Sequence, residues 1–251
     1  MDYIAVEEAK TLSGLRLVLV KAMPSPWSLA ARALFDIKSI EYTVAAQYVG
    51  QDNPELMAWS GQRNAPVVAY NDERLIHTPE SIILLAERLN PGPVLVPVDP
   101  VQRAWMFGLL REIVGENSLA WFRRIAAMGL SGNADPNQGM NHKYGYRDDQ
   151  FQLADQACAE ILKLISKTLK DQLTRGSQFL VGNSLTALDI YAAIFLAIMV
   201  QPEDNGLIPL PEMLFKVYGQ PCEAIDAAFD DNLNEYRKRI LMQHVTTPME
   251  Y

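Results

Sequence analysis

A mixed α/β unit followed by an all-helical unit is the architecture the sequence predicts, on three observations. Residues 15–89 alternate short β-branched runs with one-faced helical runs. Asn90–Pro100 (NPGPVLVPVDP) is too rich in proline to continue a helix and forms a natural boundary. Beyond it, apolar residues recur at steps of three and four, and everything reads helical. The expected domains are residues 1–91, with 1–13 as an extension that packs loosely, and residues 100–251.

Leu15–Val20 (LRLVLV) is a strand-like run, Ala22–Pro26 a turn with two prolines, and Trp27–Phe35 an apolar helical face. Glu41–Val49 offers the next strand. The crossover between the two should be right-handed and their pairing parallel. Ala65–Tyr70 (APVVAY), a turn at Asn71-Asp72 and a return over Arg74–Ile76 read as a hairpin. Thr78-Pro79-Glu80-Ser81 then supplies an N-cap, a proline at the first helical position and an acidic first turn ahead of Ile82, Ile83, Leu84, Leu85 and Leu89.

Two features of this stretch point to ligand binding. A cis Ala65-Pro66 bond would turn the N–H and C=O of Ala65 outward, ready to pair with a peptide-like ligand in strand fashion. The free amides of the helix starting at Pro79 would attract a carboxylate. An ordinary edge strand and a plain capped helix fit the same residues.

The helical part should begin with Val101–Gly115 and Asn117–Leu130, broken near Gly115, followed by a Gly- and Asn-rich loop over Ser131–Tyr146. Phe151–Leu173 has a single apolar face, which carries Cys158. Thr186-x-x-Asp189 has capping-box spacing and heads the apolar run Ile190–Met199. Arg237-Lys238-Arg239 reads as a solvated helix end.

Composition narrows the function classes. Of 251 residues, 49% are apolar and 21% charged, the balance of a soluble globular protein. A net charge of −8 disfavours nucleic-acid partners, which require clustered Lys and Arg. Cys158 and Cys222 give no disulfide framework, and the acidic start MDYIAVEEAK is unlike a signal peptide, so the cytoplasm is expected. No membrane span is expected, because the most apolar stretch, Leu185–Val200, is short and interrupted by Asp189. No metal site is expected either: His77, His142 and His244 are scattered, and the cysteines lack ligand spacing.

The combination of "Ala-Pro-Val-Val", a hairpin, "Pro-Glu-Ser-Ile-Ile" and the later Thr-x-x-Asp-Ile resembles the cytosolic glutathione transferases, whose class it leaves open. The resemblance implies an α/β thioredoxin-like N-terminal domain plus an all-α C-terminal domain, with glutathione as co-substrate. It assigns the cis proline to Pro66, backbone pairing with glutathione to Ala65, and the γ-glutamyl contacts to Glu80 and Ser81. Where family members usually have valine before the proline, this chain has Ala65.

By the same resemblance, Ser25 takes the catalytic position in the loop after the first strand, with Ser28 where a second redox cysteine would fall. With serine at both, no dithiol can form. A serine hydroxyl would donate to the glutathione sulfur and favour its thiolate. Lowering a thiol by roughly two units from about 8.5 needs ~2.7 kcal/mol, which a charge-assisted hydrogen bond and a helix N-terminus together supply. Ser25 as a plain turn residue and Ser28 as a helix cap is the alternative.

The acceptor, a small apolar electrophile, would lie between the Ser25 loop and the first long helix of the second domain. Trp27, Trp105, Trp121, Phe122, Tyr144 and Tyr146 are its candidate wall residues. The implied function is a homodimeric transferase of the detoxification type. A non-catalytic dimer that binds other proteins and a glutathione-dependent isomerase remain as alternatives.

Overall fold

The computed structural model describes residues 1–130, 135–204 and 206–251. A four-stranded sheet forms the first layer. At its centre, β2 (Leu15–Val20) pairs parallel with β3 (Thr43–Gln47), Val18 opposite Ala45, and antiparallel with β4 (Val67–Tyr70), Val18 opposite Val67. Every residue of β2 is buried, as a strand covered on both faces requires. Leu15, Leu17 and Leu19 face α2 (Pro26–Ile37) and α4 (Pro79–Leu89) within the main core. Val18 faces the opposite way, into a smaller cluster with Ala45, Leu56 and Val67.

The N-terminal extension is built into this layer. Tyr3 and Ile4 form β1, which pairs parallel with Val44 and Ala45 at the sheet edge. Val6 and Ala9 of α1 (Val6–Thr11) join the smaller cluster. The sequence has no periodic signal there because two residues of strand and six of helix are too short to show one.

A further helix, α3 (Pro54–Ser60), lies between β3 and β4 in a stretch to which the sequence pattern assigns no element; Leu56 is its one buried residue. The expected hairpin is reduced to one bridge, in which Val68 and Ile76 exchange N–H···O bonds of 2.8 and 3.0 Å. Its strand begins at Val67, two residues later than the sequence pattern suggests.

The second layer comprises α5 (Pro100–Val114), α6 (Leu119–Leu130), α7 (Gly139–Lys143), α8 (Asp148–Thr174), α9 (Ala187–Phe195), α10 (Glu212–Tyr218), α11 (Glu223–Ala228) and α12 (Asp231–His244). Of the loop expected over 131–146, residues 131–134 lie outside the described residues, and 139–143 form α7. All residues of α9 are buried. It packs on α2, α5 and α12, so the main core runs without interruption from sheet to helices.

Asp189 fixes the start of α9. Its carboxylate accepts from Thr186 N–H and Oγ1 at 2.8 and 2.7 Å, from Leu180 N–H at 2.8 Å and from the Tyr236 hydroxyl at 2.8 Å. Burial pushes this carboxyl above its ordinary range, against those four donors.

At its other end α9 widens into a π-helical turn, Leu196–Val200. Arg237 holds that turn, donating to the carbonyls of Leu196 and Gln201 and pairing with Glu203. It is 1% exposed, so it is not part of a solvated helix end.

Candidate active site

A cleft of about 530 Å³ opens where the N-terminus of α2 meets α5, α6 and the π-helical turn. Its floor follows from local sequence. Ser25 caps α2 with Pro26 in the first turn, and its Oγ accepts from Ser28 N–H at 3.5 Å. The Ser25 hydroxyl proton and the backbone N–H of Trp27 have no acceptor among the described residues, so both are left free at the positive end of the helix, beside the cleft. Ser28 is 2% exposed and accepts from Val20 N–H at 3.1 Å, a structural role that keeps it out of the cleft.

Ala65 and Pro66 form the adjacent edge, and the bond between them is cis. Neither the N–H nor the C=O of Ala65 has a hydrogen-bond partner among the described residues. Next to them the start of α4 contributes His77, Thr78, Pro79 and Glu80. Thr78 Oγ1 caps Ser81 N–H at 3.3 Å, leaving the Glu80 amide free.

Ser81 is not brought together with these residues. Its Oγ accepts from the Thr78 hydroxyl at 2.9 Å, and it lines a separate concavity with Val68, Tyr70 and Leu84.

The opposite wall carries aromatic rings and cations. Trp27, Trp121 and Tyr144 line it; Trp105 lines a different concavity with Val101, Thr168 and Gln172. Phe122 and Tyr146 pack in a cluster around Ile125 and Ala154. Sequence reasoning missed Arg124, whose guanidinium carbon sits 4.5 Å from the Trp27 ring centroid and 4.1 Å from that of Tyr144. Lys143 and Arg111 line the same wall. Partial burial, and then the guanidinium groups of Arg63 and Arg124, lower the pKa of Lys143. The spacing of Trp121 and Arg124, three residues apart on one helix, was the available signal.

No protein-family model and no curated protein sequence matches this chain. Its structure does match solved ones. A glutathione transferase from Methylobacterium radiotolerans in complex with glutathione sulfonate superposes with a TM-score of 0.63 at 15% identity, covering 95% of this chain and 98% of that one. One from Methylobacillus flagellatus with glutathione bound gives 0.64 at 13%, covering 92% and 96%. One from Pseudomonas putida with glutathione disulfide gives 0.63 at 14%, covering 97% and 93%.

The fold is that of the glutathione transferases, a thioredoxin-like α/β layer joined to a helical layer. Among the described residues, no helix is long and apolar enough to cross a membrane, and no cluster of His, Cys, Asp and Glu could hold a metal ion.

Proposed function

We propose that this protein is a glutathione transferase in which residues 1–91 hold glutathione and residues 100–251 shape the acceptor site. The observation that carries this reading is the meeting of Ser25, the unpaired backbone groups of Ala65 and the free amide of Glu80 on one cleft. Glutathione fits that set. Its cysteinyl backbone can pair with Ala65 in strand fashion, its α-carboxylate with the Glu80 amide, and its ammonium group with the Glu80 carboxylate.

The sulfur then lies at the start of α2. The Ser25 O–H donates to the thiolate, and the helix terminus adds favourable charge. The thiol proton passes to solvent, and the thiolate forms a C–S bond to the acceptor as the leaving group departs with its electron pair. Ser28 takes no part.

The working form in this reading is a cytoplasmic two-fold homodimer. Val101 and Trp105 at the start of α5 are 76% and 49% exposed, an apolar surface that closed pairing would cover on both subunits.

The test is the ultraviolet absorbance of the thiolate in the binary complex, followed against pH. A midpoint well below that of free glutathione supports the reading. A midpoint equal to that of free glutathione, with no turnover of 1-chloro-2,4-dinitrobenzene, rejects it.

A further inference from the structure

The acceptor wall is cationic in a chain whose net charge is −8. Arg124 lies between the rings of Trp27 and Tyr144, with the Trp121 ring 5.9 Å from its guanidinium carbon. Ring faces hold a guanidinium in place without neutralising it. Glu80 and Glu116 also border the cleft, yet neither comes within ion-pair distance of Arg124, Lys143 or Arg111, and among the described residues no other carboxylate does. The charges acting on Lys143 are those of Arg63 and Arg124, both of its own sign. Beside them, the buried Trp121 Nε1 has no acceptor. Cations grouped against mutual repulsion, next to a buried donor without a partner, are complementary to an anion that the chain does not itself supply.

We infer that the acceptor is a planar, aromatic electrophile bearing an anionic group such as a carboxylate, with the ring lying along Trp27, Trp121 and Tyr144 and the anion meeting Arg124 and Lys143. The inference rests on the transferase reading for turnover, though not for binding. Arg124 can take a carboxylate with two parallel hydrogen bonds, and Lys143 adds a second, more exposed charge.

Two pairs of probes differ chiefly in the charge. For binding, 3,5-dinitrobenzoate and 1,3-dinitrobenzene are titrated into the full chain and read by quenching of tryptophan fluorescence, since Trp27 and Trp121 flank the proposed site. For turnover, 4-chloro-3,5-dinitrobenzoate is compared with 1-chloro-2,6-dinitrobenzene, which lacks only the carboxylate. In both, sulfur bonds to the ring carbon that carries chlorine, chloride leaves with the electron pair, and the thiol proton goes to solvent.

The benzoate should bind at least tenfold more tightly than its neutral counterpart, about 1.4 kcal/mol. Arg124→Gln should bring that ratio below about threefold, and Arg124→Lys should keep part of it. Lys143 is exposed, so Lys143→Gln should fold normally and lower the ratio about threefold; it serves as the test if Arg124→Gln does not fold. Equal binding of the two probes by the parent protein overturns the inference, as does a ratio unchanged in the folded variants. A tenfold loss of glutathione affinity in Arg124→Gln also overturns it, by assigning this cation to the tripeptide. Turnover of both chlorides without preference refutes the anion site and leaves the transferase reading standing. Preferential binding without turnover of either does the reverse.

Discussion

Trp27 donates its indole N–H to the carbonyl of Val114 across 3.2 Å, joining the first turn of α2 to the last residue of α5. Its ring meets Phe195 edge to face at 4.8 Å while Arg124 covers it. One side chain from the α/β layer thus ties the start of α2 to the helical layer beside the cleft. Trp27→Phe keeps most of the ring and removes the donor, leaving a helix-end carbonyl short of a partner. The expected cost is about 1 kcal/mol and a fall of a few degrees in Tm, measured by calorimetry.

Ser25→Ala should raise the thiolate midpoint of bound glutathione and reduce kcat, with a small change in glutathione affinity, because backbone groups hold the tripeptide. An unchanged midpoint would remove Ser25 from the mechanism.

Glu80 and Ser81, adjacent in sequence, should separate in function. Glu80→Gln should weaken glutathione binding by about 1–2 kcal/mol through loss of the ammonium contact. Ser81→Ala, on a side chain that faces another concavity, should leave affinity within twofold. Isothermal titration of both variants decides this; weaker binding in Ser81→Ala alone would reverse the assignment.

The Cys158 thiol is pushed up to about 12 by burial, from an ordinary value of 9.0. Burial first, then Glu80 for Tyr191 and Asp189 for Tyr236, raises those two phenols above 10.0. Above these ordinary values the unfolded chain releases protons that the folded chain retains, so stability must fall as pH rises. Each group contributes a slope of about −1.4 kcal/mol per pH unit once its unfolded form ionises. Tm should therefore decline steeply between about pH 9 and 11. A flat profile there would contradict the burial of all three.

Sedimentation at micromolar concentration should give a mass near twice 28.1 kDa. A monomer would leave Val98, Val101 and Trp105, which are 84%, 76% and 49% exposed, facing water.

The central strands, α2, α4 and the long helices were legible because hydrophobic period, caps and prolines agree along them. The Thr186–Asp189 capping box was legible for the same reason, since its bonds are local. What the sequence concealed depends on tertiary partners. Tyr3–Ile4 becomes a strand only because β3 offers an edge to pair with. Arg237 lies in a charged run, yet the carbonyls of the π-helical turn draw it inward. The cis Ala65-Pro66 bond and the place of Ser25 at the start of α2 were readable from motif context. Arg124 was legible only through its spacing from Trp121, because the nearer rings that hold it come from residues 27 and 144, about 120 positions apart.

The π-helical turn gives the cleft two walls of different character. On one side, Ile198 and Met199 belong to backbone anchored by two arginines. Arg123 donates to the Met199 and Tyr218 carbonyls at 2.7 and 2.8 Å, and Arg237 holds Leu196 and Gln201 from behind. Facing it, Met140, Lys143 and Tyr144 ride on and just after a helix of only five residues. Laboratory evolution toward new acceptors should therefore collect its beneficial changes at 140–144. Positions 198 and 199 should tolerate little, because a shift there would break hydrogen bonds that also close the end of α9.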